Sequence, residues 1–302
     1  MQAAVVSALY EDNSAPRPFL KWVGGKRQLI PELESLLPTH FGRYHEPFIG
    51  GGALFFHTRP TQATISDANE ELADCYRAVR DCPEELIREL RRHTYEKDYY
   101  YAMRAWDTSA EPLYRRAGRT IYLNRTGFNG LYRVNRAGQF NVPFGRYDNP
   151  LICDEHNLRT CSSLLRGVEI GHRDFSAVLS AAKAGDFVYF DPPYVPVSPT
   201  ASFTAYVSGG FGAEEHARLA EVFRELAGRG VNVMLSNSDT PLVRQLFRDF
   251  HLHEVRARRA INSNAGRRGD VGELIVRSDY IPRGGLRMPA TASRRSARSA
   301  QP

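Results

Sequence analysis

The sequence predicts an α/β fold: an open sheet with helices on both faces, interrupted by an inserted helical and β-hairpin module. Three observations carry this. Residues 187–190, Phe-Val-Tyr-Phe, are β-branched and aromatic and read as a short buried strand. It is stopped by Asp191-Pro192-Pro193-Tyr194, since neither proline can donate to a ladder. Residues 44–56 run from another strand through Gly50-Gly51-Gly52 into a helix. Between 70 and 153 the strand–helix rhythm gives way to helices and one hairpin, then resumes near Cys161.

In chain order, residues 1–17 read as a flexible extension. Residues 18–69 and 154–281 read as one discontinuous α/β domain, 70–153 as the insert, and 282–302 as a disordered basic tail. Lys21-Trp22-Val23-Gly24-Gly25-Lys26 is a glycine turn leading into a helix over 27–37. Thr64-Ile65-Ser66-Asp67 is a second strand ending in an acid, followed by a helix over 69–79. Helices are predicted over 83–105 and 113–124, and strands 131–134 and 139–142 flank the turn Asn135-Arg136-Ala137-Gly138. After a strand near 168–171 come Arg173-Asp174-Phe175 and a helix to Lys183. Residues 195–212 are a candidate lid, 213–228 an amphipathic helix, 231–235 a strand and 241–249 a helix. An antiparallel pair, 255–260 and 274–277, closes the sheet, with a basic loop at 262–269 that contains Arg267 and Arg268. His251 and His253 alternate on an extended segment and, without a third ligand, read as surface residues.

Apolar content of 42% and charged content of 25% are those of a soluble globular protein. No apolar run approaches the ~18–20 residues of a membrane span, and the start lacks the basic segment of a signal peptide. Cys75, Cys82, Cys153 and Cys161 form no CxxC pair, so they are expected to be reduced and structural in a cytoplasmic, metal-free protein. The net charge of +6 falls to +1 once the five arginines of residues 283–302 are set aside. Clustering matters more. Residues 113–147 hold seven arginines and 255–269 five, neither stretch with an acid, which reads as a footprint for a polyanion.

The chemistry is concentrated at strand ends. The glycine turn at 50–52 lacks the Lys-Ser/Thr of a phosphate loop and fits a nucleoside-like cofactor. Asp67 suits ribose hydroxyls, or capping of the next helix. Asp191 and the Pro192 carbonyl can accept the hydrogens of a nucleobase amine and push its delocalised lone pair toward tetrahedral geometry, while Tyr194 stacks on the base. The plainer alternative is a simple Asp-Pro turn. Arg133 and Arg136 on the hairpin, followed by Pro143-Phe144-Gly145-Arg146-Tyr147, suit groove reading and base stacking.

Taken together, these motifs resemble the Dam family of DNA adenine-N6 methyltransferases (the D12 class), over roughly residues 19–276. The motifs fall in the family's order: Lys21-Trp22-Val23-Gly24-Gly25-Lys26, then Glu46-Pro47-Phe48-Ile49-Gly50-Gly51-Gly52, Asp67, an inserted target-recognition domain, and Asp191-Pro192-Pro193-Tyr194. Residues 122–125 and 141–147 resemble its recognition segment.

The resemblance implies a Rossmann-like class I methyltransferase sheet and S-adenosylmethionine as cofactor, without metal. Trp22, Lys26, Phe48, Gly50 and Gly52 would line the cofactor site, with Asp67 on the ribose and Asp174 on the adenine amine. Asp191, Pro192 and Tyr194 would hold the target base. Phe128 would fill the gap left by the flipped adenine. Leu131, Arg133 and Pro143 would touch bases, and Lys21 and Tyr147 the other end of the site. Arg125, Asn129, Arg136, Arg146, Arg267 and Arg268 would add DNA contacts. The expected substrate is double-stranded DNA at GATC, bound by a monomer associated with the nucleoid. Two alternatives stay open: an adenine methylase of a restriction system with another target, and a catalytically silent DNA-binding protein. Protein-glutamine methylation is disfavoured, because that chemistry uses Asn at the Asp191 position.

Overall fold

Alternation of side chains along the central strands explains why helices cover both faces of the sheet. Phe187 and Tyr189 join one core cluster, while Val188 and Phe190 join another; Met234 and Ile275 separate in the same way from Val233, Leu235, Leu274 and Val276. The computed structural model describes residues 15–22, 24, 26–135, 137–196, 211–257 and 271–285. Its strands are β1 (Tyr44–Glu46), β2 (Ala63–Asp67), β3 (Glu169–His172), β4 (Phe187–Phe190), β5 (Asn232–Ser238), β6 (His251–Ala257) and β7 (Val271–Arg277). They form one seven-stranded sheet in the order β3-β2-β1-β4-β5-β7-β6. Pairings from β3 to β5 are parallel, and β7 runs antiparallel between β5 and β6. This is a mixed α/β sheet of the class I methyltransferase kind.

The helices are α1 (Ile30–Leu36), α2 (Ala53–Thr58), α3 (Glu70–Asp81), α4 (Pro83–Leu90), α5 (Lys97–Ala105), α6 (Leu113–Thr126), α7 (Glu155–Leu165), α8 (Val178–Ala181), α9 (Ala213–Gly228) and α10 (Pro241–Leu246). Local chemistry sets several starts. The Asn69 side chain accepts from the Leu72 amide to cap α3, and Thr240 caps α10 ahead of Pro241. In α9, Glu214 and Glu215 occupy the first turn, and Leu219, Val222, Phe223 and Leu226 supply its buried stripe.

Between β2 and β3 the packing divides. The buried faces of α3, α4 and α7 and the start of α6 share the first cluster with the sheet, as Cys75, Tyr76, Leu86, Ala117 and Leu158 testify. A third cluster stands apart from them: Tyr100, Tyr122, Leu123, Tyr132, Phe140 and Val142.

Several expectations change. The single helix expected over 83–105 is two, α4 and α5. Side chains of the intervening turn are pulled toward α6 and beyond: His93 stacks on Tyr122 at 4.6 Å, and the Tyr95 hydroxyl donates to the Gly145 carbonyl at 2.9 Å. These contacts hold the turn in a stretch of weak helix formers. The expected hairpin narrows to one bridge, Val134 with Phe140. Helix α7 had no forecast, β5 continues through Ser238, and the closing pair is longer and earlier than expected. His253 is half-buried on β6 and accepts from Arg277 at 3.1 Å, not a plain surface residue. Nearly all of the expected lid, the 262–269 loop, Arg136, Arg267 and Arg268 lie outside the described residues. Among the described residues, no helix is long and apolar enough to cross a membrane.

Candidate active site

Three strand ends meet where the sheet order reverses, between β1 and β4, the crevice in which open α/β sheets hold ligands. After β1 the chain turns through Gly50 (φ +46°) and Gly52 (φ +69°), conformations that side chains rarely adopt. A Cβ on Gly50 would lie 2.9 Å from Trp22 Cδ1. At the end of β2, Asp67 accepts from the Gly50 amide at 3.2 Å and the Asn69 amide at 3.0 Å. Burial pushes its carboxyl up to about 6, although these amides pull the other way. The turn is braced from behind by the Tyr76 hydroxyl, which donates to the Gly50 carbonyl at 3.0 Å. Below it, the fully buried Tyr44 hydroxyl donates to Glu46 at 2.6 Å, and burial raises both groups well above their ordinary values.

Asp191 follows β4. Lys26 Nζ lies 2.9 Å from Asp191 Oδ1, donates to the Gly24 carbonyl at 2.7 Å, and sits 4.1 Å from the centre of the Tyr194 ring. Ser236 Oγ donates to the same Asp191 oxygen at 2.9 Å. Burial raises the Asp191 carboxyl, opposed by Lys26 and the Ser236 hydroxyl. The Tyr194 hydroxyl donates to Glu273 on β7 at 3.1 Å; burial and then the Asp191 and Glu273 charges keep it protonated. The buried Asn237 fixes the next residue, its Oδ1 accepting from the Val195 amide at 3.0 Å. Lys26 therefore belongs to the Asp191 group as much as to the glycine turn.

Beside them Phe48 stacks on Phe175 with centroids 5.3 Å apart, and Phe211 meets Phe48 edge-on. Asp174, just ahead of Phe175, is held by Arg218 of α9 through two 2.8 Å bonds, one to each oxygen, while Ser176 also donates to it. The guanidinium and the serine hold the Asp174 carboxyl well below its ordinary value. The guanidinium carbon of Arg218 also lies 4.0 Å from the Phe175 ring centre.

The expected recognition residues gather next to Trp22, whose ring stacks on Tyr132 at 5.3 Å. Lys21 Nζ lies 4.2 Å from the Tyr147 ring centre, and burial, then Arg125, lowers its affinity for the proton. The buried Asn124 of α6 binds the Lys21 backbone on both sides and also donates to the Gly130 carbonyl. Phe128 is 45% exposed, next to an exposed Asn129 with φ +54°. Arg133 is exposed, with Nε and Nη2 both donating to the Asn141 carbonyl. Leu131 and Arg125 are half-buried, and Pro143 and Arg146 exposed.

The arginine block of 113–147 needs correcting in part. Arg115, Arg116 and Arg119 on α6 pair with Glu111, Asp74 and Glu71. The two acids of α3 are distant in sequence and adjacent in space, so Arg116 and Arg119 serve the packing of α3 on α6, while Arg115 pairs just ahead of its own helix. Ser236, Glu273, Asn124 and Arg218 had no role in the sequence reading. The polar run Ser236-Asn237-Ser238 at a strand end beside the Asp191 strand was the available signal.

Among the described residues, no group of three or more His, Cys, Asp or Glu side chains could hold a metal ion. The family model of the D12 class N6 adenine-specific DNA methyltransferases matches residues 22–261. The type II methyltransferase M1.LlaDCHI of Lactococcus lactis subsp. cremoris is 46% identical over 268 residues, covering 86% of this chain and 94% of the relative. The type II methyltransferase M.MjaIII of Methanocaldococcus jannaschii is 40% identical, with 86% and 98% covered. The DNA adenine methylase of Escherichia coli (strain K12) is 37% identical, with 86% and 94% covered. Methyltransferases of this family use S-adenosylmethionine. A chain with this site geometry and these matches belongs to the D12 class of N6 adenine-specific DNA methyltransferases and is an adenine DNA methyltransferase.

Proposed function

We propose that the chain methylates the adenine N6 amine of GATC in duplex DNA after flipping the base from the stack. The observation that carries this is the convergence of Asp191, Lys26 and the Tyr194 ring at the sheet's switch point, beside the glycine turn and Asp67. The residues fit S-adenosylmethionine: the side-chain-free turn at Gly50–Gly52 lets the Trp22 ring pack against its backbone, Asp67 offers a carboxylate for a diol, and Phe48 and Phe175 offer aromatic faces. When bound, the cofactor supplies an activated methyl group with a neutral leaving group.

The protein's contribution is then positioning and electrostatics. Asp191 and the Pro192 carbonyl accept the amine hydrogens and turn its lone pair toward the incoming methyl. Tyr194 stacks on the base, its tilt fixed through Glu273. Phe128 fills the space the adenine vacates, which its exposure supports. Arg133, pre-oriented by the Asn141 carbonyl, keeps donors for a guanine edge, with Leu131 and Pro143 beside it and Lys21 and Tyr147 at the far end. Recognition is assigned to 70–153, catalysis to 18–69 and 154–281, with flanking segments 1–17 and 282–302. Arg125, Asn129, Arg136, Arg146, Arg267 and Arg268 add contacts to DNA, so affinity should fall steeply with salt.

The test uses plasmid lacking adenine methylation and labelled cofactor, followed by digestion with enzymes that cut only methylated or only unmethylated GATC. Unchanged digestion with both refutes the GATC assignment. Asp191→Ala should abolish transfer and spare DNA binding; retained transfer refutes the catalytic assignment. A second reading, a type II system methylase with another target, is favoured by the 46% and 40% identities to type II methyltransferases. Sequencing the modified sites separates the two.

A further inference from the structure

Tyr189 and Asp191 are two residues apart where β4 runs out, so their side chains leave the same face of the sheet. Ser236 lies on the neighbouring β5, one residue past the Phe190–Leu235 pair that ends the ladder, and is completely buried. Its hydroxyl donates to Asp191 Oδ1 at 2.9 Å and lies 2.8 Å from the Tyr189 hydroxyl. A serine hydroxyl has one hydrogen, and here the ionised carboxylate takes it. The tyrosine hydrogen must therefore point to Ser236 Oγ. Two hydroxyls in series thus aim at one carboxylate oxygen, each polarising the next.

We propose that Ser236 and Tyr189 are positioning residues that lock the Asp191 carboxylate with Oδ2 turned to the target amine and hold it in its acceptor form. This rests on the reading of Asp191 as the amine acceptor. Lys26 and Ser236 both contact Oδ1, which leaves Oδ2 to face the substrate. Other charged or titratable groups surround the pair on every side: Lys26 from its turn, Tyr44 and Glu46 on β1, Tyr194 beyond β4, and Glu273 on β7. The carboxylates among them oppose a further negative charge. A neutral hydroxyl relay supports the Asp191 anion without adding another ion.

The test measures single-turnover methyl transfer against pH, with DNA and cofactor affinities, for Ser236→Ala, Tyr189→Phe, the double variant, Ser236→Thr and Asp191→Ala. Ser236→Ala should slow transfer by roughly 10- to 100-fold, the loss of one hydrogen bond to a charged group, with both affinities unchanged. Its acid limb should move to higher pH. Tyr189→Phe should cost less and nothing further in the Ser236→Ala background, since it acts only through the serine. Ser236→Thr, which keeps the hydroxyl, should restore most of the rate.

An unchanged rate in Ser236→Ala overturns the proposal. So does a loss shared equally by rate, affinities and melting temperature, or an additive effect of Tyr189→Phe. Transfer at the wild-type rate by Asp191→Ala refutes instead the reading beneath it.

Discussion

Asn124 holds the lysine–tryptophan segment against the Phe128–Gly130 turn, and Asn124→Asp should break that joint while hardly changing its shape. The side chain is 1% exposed; its Nδ2 donates to the Lys21 carbonyl at 2.6 Å and to the Gly130 carbonyl at 3.0 Å, and its Oδ1 accepts from the Lys21 amide at 2.9 Å. An aspartate preserves the third bond and points an oxygen at two carbonyls. Each buried carbonyl left without a donor costs about 1–3 kcal/mol, so the total is roughly 3–5 kcal/mol. Unfolding entropy near 2.1 cal/mol/K per residue amounts to about 0.6 kcal/mol/K for a chain of 302 residues. The melting temperature should therefore fall by about 5–8 °C. DNA binding should weaken more than cofactor binding, because Gly130 directly follows Phe128 and Asn129, the proposed DNA contacts. Thermal melts and the two affinities test this. A shift below about 2 °C, or a cofactor affinity that falls as far as that for DNA, refutes the reasoning.

Three other outcomes follow from the same geometry. With Asp67 raised by burial to about 6 from the ordinary carboxylate value of 3.8, its contribution to stability is full below the lower value and lost as pH rises through the upper one. On the proposed reading of Asp67, the cofactor's ribose hydroxyls need the ionised form, so calorimetric titration should show cofactor affinity falling below about pH 6, toward tenfold per pH unit. Gly52→Ala places a Cβ 2.7 Å from Tyr76 Oη at φ +69°, which should cost about 2–4 kcal/mol in denaturant melts and weaken cofactor binding. Lys26→Met keeps the packing over Tyr194 and removes the ammonium beside Asp191, so the acid limb of transfer should shift to higher pH, and the rate at low pH should fall at least roughly tenfold.

What could be read from the sequence was what local chemistry decides. Two prolines end β4 at Asp191, glycines mark the turn after β1, and β2 ends at Asp67; each signal lies within a few residues. The partners of these groups could not be read. Ser236 is 45 residues from Asp191, Glu273 is 79 from Tyr194, Arg218 is 44 from Asp174, and Asn124 is 103 from Lys21. Nothing in a periodicity encodes such pairings. The same limit explains the arginine block, whose balancing acids on α3 come from another part of the chain. The break between α4 and α5 has a tertiary part too: apolar spacing suggests one helix over 83–105, and contacts made by His93 and Tyr95, in a stretch of weak helix formers, hold the turn between them.

The position of β7 has a consequence for synthesis. Among the described residues this strand is the last of the sheet in chain order, yet it lies between β5 and β6 and carries Glu273, the acceptor for the Tyr194 hydroxyl. A chain still emerging from the ribosome, with β7 not yet released, already carries Asp191, Lys26 and the Phe128–Gly130 turn. It has no strand to join β6 to the sheet, and its Tyr194 has no acceptor. The Tyr194–Glu273 contact is therefore completed only after β7 has been made, and a nascent chain that stops short of it carries the Asp191 cluster without that brace.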